Sequence, residues 1–187
     1  MEAADQRILD LLSELLAVET NGALLYLRYA DEAPDDRRQK LIEYAEQSRR
    51  NALVIEQAIR ELGGDAGYVS PGAMVANRMT EAVLDATEGN PRTGLYRLLQ
   101  LVAYETEDRL VWETLDAVAD ARGGRLGDVL RGAATAVLSD EALGAHMQDR
   151  NEERIDWLVG TMEAELADEL GVEVRRTGRR HGLRRPR

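Results

Sequence analysis

Ile8-Leu-Asp-Leu-Leu12-Ser-Glu-Leu-Leu16-Ala-Val-Glu19-Thr-Asn-Gly-Ala23-Leu-Leu-Tyr26 lies inside a run, residues 4–30, whose apolar side chains recur at Ile8, Leu12, Leu15/Leu16, Ala23, Tyr26 and Ala30. Intervals of three and four residues place them on one face of an α-helix, the stripe by which a helix joins a core. Glu19 falls on that stripe, in line with Leu12, Leu16, Ala23 and Tyr26. A carboxylate taken into a core is costly unless it meets a cation, a hydrogen-bond donor or a proton. The stretch that predicts a core helix therefore also marks a place where chemistry is concentrated.

Working outward, Ala33-Pro34-Asp35-Asp36 stops this first helix, because proline cannot continue the ladder and aspartate is expected to cap the second helix. That second helix runs from about Asp36 to Leu62, with Leu41, Tyr44/Ala45, Ala52, Ile55, Ile59 and Leu62 on one face, and ends at Gly63-Gly64. So short a loop predicts antiparallel neighbours. Residues 64–92 are too long for a turn, and Ser70-Pro71 ahead of Met74, Val75, Met79, Val83 and Leu84 fits a capped short helix within the connection. A third long helix spans about Thr93 to Arg122, with Leu98, Leu101, Trp112, Leu115 and Ala119 inward, and Gly123-Gly124 ends it. A fourth covers Leu126 to Leu170, with a break expected near Ser139-Asp140-Glu141. Connections that are short, long and short imply an all-α antiparallel four-helix bundle over residues 1–171, with residues 64–92 as the crossover between its second and third helices. Residues 172–187 carry no core periodicity and read as a tail.

Composition narrows the function classes. Of 187 residues none is cysteine, which excludes a disulfide scaffold, a thiolate metal site and a cysteine nucleophile. The net charge is −11, but Val174 to Arg187 hold seven arginines and no acid, leaving about −18 on residues 1–173. An acidic body argues against nucleic acid as its partner. No basic segment leads into an apolar one at the start, and no run is long and apolar enough to span a membrane, so a cytoplasmic protein is expected. The glycine pairs end helices and do not follow strands, so no phosphate loop is present, and neither His146 nor His181 sits in a nucleophile pattern.

A second acid, Glu105, lies in line with Leu98, Leu101, Trp112 and Leu115, and Asp108 follows one turn later. Inward carboxylates on the first and third helices are the half-set of ligands that di-iron bundles use. Glu19-Thr-Asn-Gly-Ala-Leu-Leu-Tyr26, Ile59-Arg-Glu-Leu62-Gly-Gly and Glu152-Glu-Arg-Ile-Asp-Trp157-Leu158 together resemble the ferritin-like superfamily, bacterioferritin and rubrerythrin in particular. The resemblance covers roughly residues 5–62 and 93–166, and its most specific motif is the last, similar to the family's Glu-Glu-x-His-Ile-Asp-Trp-Leu.

What the resemblance implies is altered by its departures. Where the family places a Glu-x-x-His on the second helix this chain has Ser48 and Asn51, and on the fourth it has Asn151 and Arg154. A family haem ligand would fall on Arg49, so haem is not implied. Two carboxylates beside an arginine lack the charge and ligand count for two ferrous ions. The expectation is a former metal pocket of Glu19, Ser48, Asn51, Glu105, Asn151 and Arg154, with Arg154 as a fixed cation between the two glutamates, hydrogen-bonded by Ser48, Asn51 and Asn151. On this reading no cofactor is bound, no residue is catalytic, and the protein acts in binding or assembly. The alternative is an iron-binding oxidase or iron-handling protein with an atypical carboxylate-rich site, Glu19 and Glu105 being the metal ligands, helped by Asp108 or Glu141.

Other features carry competing readings. Reflection through a hairpin at 124–128 brings His146 near Glu105, with Asp149 and Glu141 on neighbouring turns, yet counting back from Ile155 leaves His146 off the core face. A surface histidine is the expectation there. Trp112, Tyr26, Tyr44, Tyr104 and Trp157 read as packing. By the family resemblance a homodimer is expected, pairing through the first two helices and the crossover. The tail's Arg179, Arg180, Leu183, Arg184 and Arg185 admit three roles: a basic arm for phosphates or acidic lipid, a cargo tag for an encapsulin shell, or an arm that is either a flexible aid to solubility or folded back on the acidic body.

Overall fold

The computed structural model describes residues 3–88, 94–138 and 147–172, with side chains described for 5–88, 94–137 and 153–172. All of the regular structure among them is helical: α1 (Ala3–Glu32), α2 (Asp35–Glu61), α3 (Pro71–Thr87), α4 (Gly94–Arg122), α5 (Gly124–Leu138) and α6 (Met147–Leu170). None of these helices is long and apolar enough to cross a membrane.

Local chemistry sets the corners. Pro34 precedes α2 without a side-chain cap, so the expected aspartate cap does not form; Asp35 and Asp36 instead occupy the first turn, where negative charge meets exposed N–H groups. Arg38 closes the corner from the other side, donating from Nε to the carbonyl of Ala30 at 3.1 Å and from Nη2 to that of Ala33 at 3.1 Å. The Ala30 carbonyl, which also accepts from the Ala33 N–H at 3.3 Å, and the Ala33 carbonyl just beyond α1 are thereby tied to α2. At the end of α2, Gly63 takes φ 79°, and the N–H groups of Gly63 and Gly64 bond back to Arg60 and Ile59. That reversal suits glycine because its left-handed φ carries no Cβ penalty.

Ser70 caps α3 as the sequence predicts, accepting from the Ala73 N–H at 3.1 Å ahead of Pro71. Its place is fixed by α1: the Ser13 hydroxyl donates to the Tyr68 carbonyl at 2.8 Å and accepts from the Ser70 N–H at 3.0 Å. From there α3 runs along α1, with Asn21 bonded to Asn77 at 2.8 Å and Arg28 to Glu88 at 3.1 Å. It also touches α4 through Thr80 and Tyr104, whose hydroxyls are hydrogen-bonded.

Contacts give the directions. Glu19 meets Asn51 and Leu9 lies against Gly64, so α1 and α2 are antiparallel. Tyr26 meets Glu105 while Arg122 meets Asp5, so α4 is antiparallel to α1. Both α5 and α6 pack on α4, α5 leaving it at Gly123-Gly124 and α6 returning with Arg154 opposite Glu105 and Glu165 beside Gly94. A straight hairpin turning at Gly123-Gly124 would set Glu105 opposite residue 142; meeting Arg154 means the return path holds about a dozen extra residues. Residues 139–146, where the break and His146 were expected, lie outside the described residues.

Apolar burial forms two clusters. One gathers Leu12 and Leu15 of α1, Ile55 of α2, Trp112 and Leu115 of α4, and Leu130 of α5. The other gathers Leu25 and Tyr26, Tyr44 and Ala45, Leu101 and Tyr104, and Leu158 of α6. On α2 and α4 the boundary falls at buried polar residues, and on α1 it falls between Leu15 and Val18, next to Glu19.

Candidate functional site

That boundary is a polar layer at mid-height. Between Leu15 and Ala23 on α1 stands Glu19; between Ala45 and Ile55 on α2 stand Ser48 and Asn51; between Tyr104 and Trp112 on α4 stand Glu105 and Asp108; Arg154 on α6 lies one turn before Leu158. All six polar side chains are buried, Glu19, Ser48 and Arg154 to 4% exposure or less. Helical periodicity places them: seven residues separate Glu19 from Leu12 and Tyr26, and Glu105 from Leu98 and Trp112, two turns along one face.

Glu105 is the hub. Its Oε1 accepts from Arg154 Nη1 at 2.8 Å and from the Tyr26 hydroxyl at 2.7 Å. Its Oε2, the Arg154 Nε and the Trp112 Nε1 are buried without a hydrogen-bond partner among the described residues. Asn51 Nδ2 donates to Glu19 Oε1 at 2.6 Å, so the Asn51 amide serves the acid on α1 and not the guanidinium expected from sequence. Arg154 lies 5.1 Å over the Tyr44 ring, and Tyr44 packs against Tyr26 at 5.5 Å and edge-on to Trp157 at 5.6 Å. A guanidinium flanked by a carboxylate and an aromatic face keeps favourable electrostatics after losing its water.

Charge is concentrated in the layer: the Glu19, Glu105 and Asp108 carboxyl groups and the Arg154 guanidinium are all buried within it. Burial pushes the Glu19 carboxyl well above the usual range, Asp108 and Glu105 add to this, and Arg154 and the Asn51 hydrogen bond oppose it. Glu19 therefore tends to keep a proton. For Arg154 burial alone would favour loss of the proton, but the fields of Glu105, Tyr26 and Glu19 prevail and hold it charged. Burial and the adjacent Glu105 raise the Tyr26 hydroxyl, so it stays a donor.

Glu19, Ser48, Asn51, Glu105 and Arg154 thus stand in one layer. Asn151 lies on α6 with its side chain outside the described residues, and Arg179, Arg180, Leu183, Arg184 and Arg185 lie outside them altogether. Tyr26 was read as packing; it is also the second donor to Glu105, and its two-turn spacing from Glu19 was the signal available. Tyr44 as the platform under Arg154 had no such signal, because it depends on how α2 and α6 meet.

The layer can hold an ion pair and a proton, and the four surface grooves described are lined by other residues. Its donor set does not suit a pair of iron ions. The guanidinium already bonds the Glu105 oxygen a metal would need, no imidazole reaches the layer from the described residues, and among these no group of three or more His, Asp or Glu could hold a metal ion. In comparisons with known proteins, no family model, no curated protein and no solved structure matches the chain.

Proposed function

We propose that the chain is a ferritin-like antiparallel four-helix bundle in which a buried ion pair stands in place of the di-iron centre, and that it works through binding or assembly and not through iron oxidation. In this reading α1, α2 and α4 are three of the bundle helices, α5 and α6 together form a broken fourth, and α3 lies in the crossover. The observation that carries it is the 2.8 Å contact from Arg154 Nη1 to Glu105 Oε1, both side chains at most 6% exposed. A permanent cation beside the central carboxylate does electrostatically part of what a metal does structurally: it compensates the buried acids and ties the helices together, without open coordination or redox chemistry.

A cytosolic homodimer is the proposed state. Exposed apolar side chains on and before α3, Tyr68, Val69, Met74, Val75 and Met79, support pairing through the crossover side. Protein purified without a tag from iron-rich medium is expected to contain far less than one iron per chain and to leave the rate of ferrous oxidation by oxygen at the buffer level. Iron near two per chain, or oxidation abolished by Glu105→Ala, would overturn the proposal in favour of an iron-handling site built on Glu19 and Glu105. Light scattering at several concentrations tests the dimer separately.

A further inference from the structure

Two grooves adjoin beside α6. One, about 350 Å³, is lined by Glu32, Arg37, Arg97, Asp168 and Glu169 at the end where α6 finishes. The next, about 510 Å³, is lined by Asp36, Arg37, Glu153, Asp156 and Trp157, over a floor that includes Gly160. Arg37 lines both and its ion pair with Glu165 stands where they meet, so the two form one trough along α6, bounded at the first groove by α1 and α4 as well as α2.

The trough has unspent charge. Arg37 pairs with Glu165 and Arg97 with Glu32, whereas Asp36, Glu153, Asp156, Asp168 and Glu169 have no cationic partner among the described residues. It also has unspent hydrogen bonds: the Tyr29 hydroxyl and the Arg97 Nε, on residues 5% and 6% exposed that line the first groove, are buried without partners among the described residues. A hydroxyl can accept from a guanidinium and an Nε–H can donate to a peptide carbonyl, so both suit a basic peptide.

The chain supplies such a peptide at the trough's mouth. Gly171 takes φ 62°, with the Gly171 and Val172 N–H groups bonded back to Asp168 and Ala167, which turns the backbone off the helix axis beside the acids. Beyond Val172 come fifteen residues with seven arginines. Fully extended they reach about 50 Å, whereas the trough back to Glu153 is about 25 Å of helix. We propose that residues 173–187 dock in this trough of their own chain, their arginines pairing with Asp168, Glu169, Asp156 and Glu153 and one guanidinium stacking on Trp157. The proposal does not rest on the ferritin-like reading.

Because the chain has no cysteine, Arg187→Cys gives a unique attachment point for a nitroxide on the full-length protein. In about 20 mM salt, amide signals of residues 36–37 and 153–164 are expected to broaden, and to recover in about 1 M salt, where the Debye length falls to roughly 3 Å. The broadening should also vanish with Asp156→Asn, Asp168→Asn and Glu169→Gln combined, three substitutions lining the open trough for which an unchanged melting temperature confirms an intact fold. Isotope-labelled protein lacking the nitroxide, mixed with unlabelled protein carrying it, should show none of the broadening. Absent broadening, broadening on another surface, insensitivity to the three neutral substitutions, or broadening only in the mixed sample would overturn it.

Discussion

Arg154→Leu removes the Arg154 guanidinium from the polar layer while keeping an apolar side chain that can lie against Tyr44. The wild-type contact is a 2.8 Å charged hydrogen bond between side chains 5% and 6% exposed, so solvent cannot replace the lost partner. Breaking a buried pair on one side typically costs about 3–5 kcal/mol, which in a chain of this length lowers the melting temperature by roughly 6–20 °C. The cost must depend on pH. Arg154 is a main influence holding down the already raised Glu19 carboxyl, so its loss raises that group further. A carboxyl with a raised folded pKa binds its proton more tightly in the native state, so its contribution is present below the unfolded value near 4.3 and is lost as pH rises toward the folded value, at up to about 1.4 kcal/mol per pH unit. Thermal melts of wild type and Arg154→Leu at pH 5, 6, 7 and 8 should therefore diverge as pH rises. Adding Glu105→Leu should recover part of the loss, because it removes the carboxylate that the first substitution strands, while the Tyr26 hydroxyl loses its acceptor. Melting curves that coincide across this range would refute the claim that the layer is held by this pair.

Glu19→Gln should act in the opposite direction. The amide keeps an acceptor for Asn51 Nδ2 but cannot ionise, so the variant should be more stable than wild type at pH 8 by about 1 kcal/mol or more and should lose part of the pH slope, as denaturant unfolding at pH 5 and 8 can measure. At the α4–α5 corner, Gly127→Ala would place a Cβ 2.6 Å from the Ala119 carbonyl oxygen, a backbone atom that cannot swing away, and should cost about 1–3 kcal/mol in the same assay. Gly72→Ala meets only the carboxylate end of Glu14, a flexible side chain that can swing aside, and should be close to neutral.

Much of the architecture could be read locally. The Gly63-Gly64 reversal, the Ser70-Pro71 helix start and the Gly123-Gly124 corner each follow from backbone chemistry acting over four or five residues. The periodicity of α1 and α4 likewise put Glu19 and Glu105 on buried faces, since two helical turns bring a residue back to its own stripe. The path from α4 to α6 was less legible, because a reflection count assumes an unbroken hairpin and the return is divided between α5 and α6.

By itself the sequence determined that the chain is helical, where most of its helices stop, and that acids would enter its interior, because these depend on spacing and on turn residues close in the chain. Tertiary structure alone decided the partners: that Tyr26 and Arg154 converge on one oxygen of Glu105, that Asn51 serves Glu19, and that Tyr44 underlies the guanidinium. Hydrogen bonds and ion pairs act over about 3 Å, and residues 49 or 79 positions apart come within that range only through the packing of the helices that carry them.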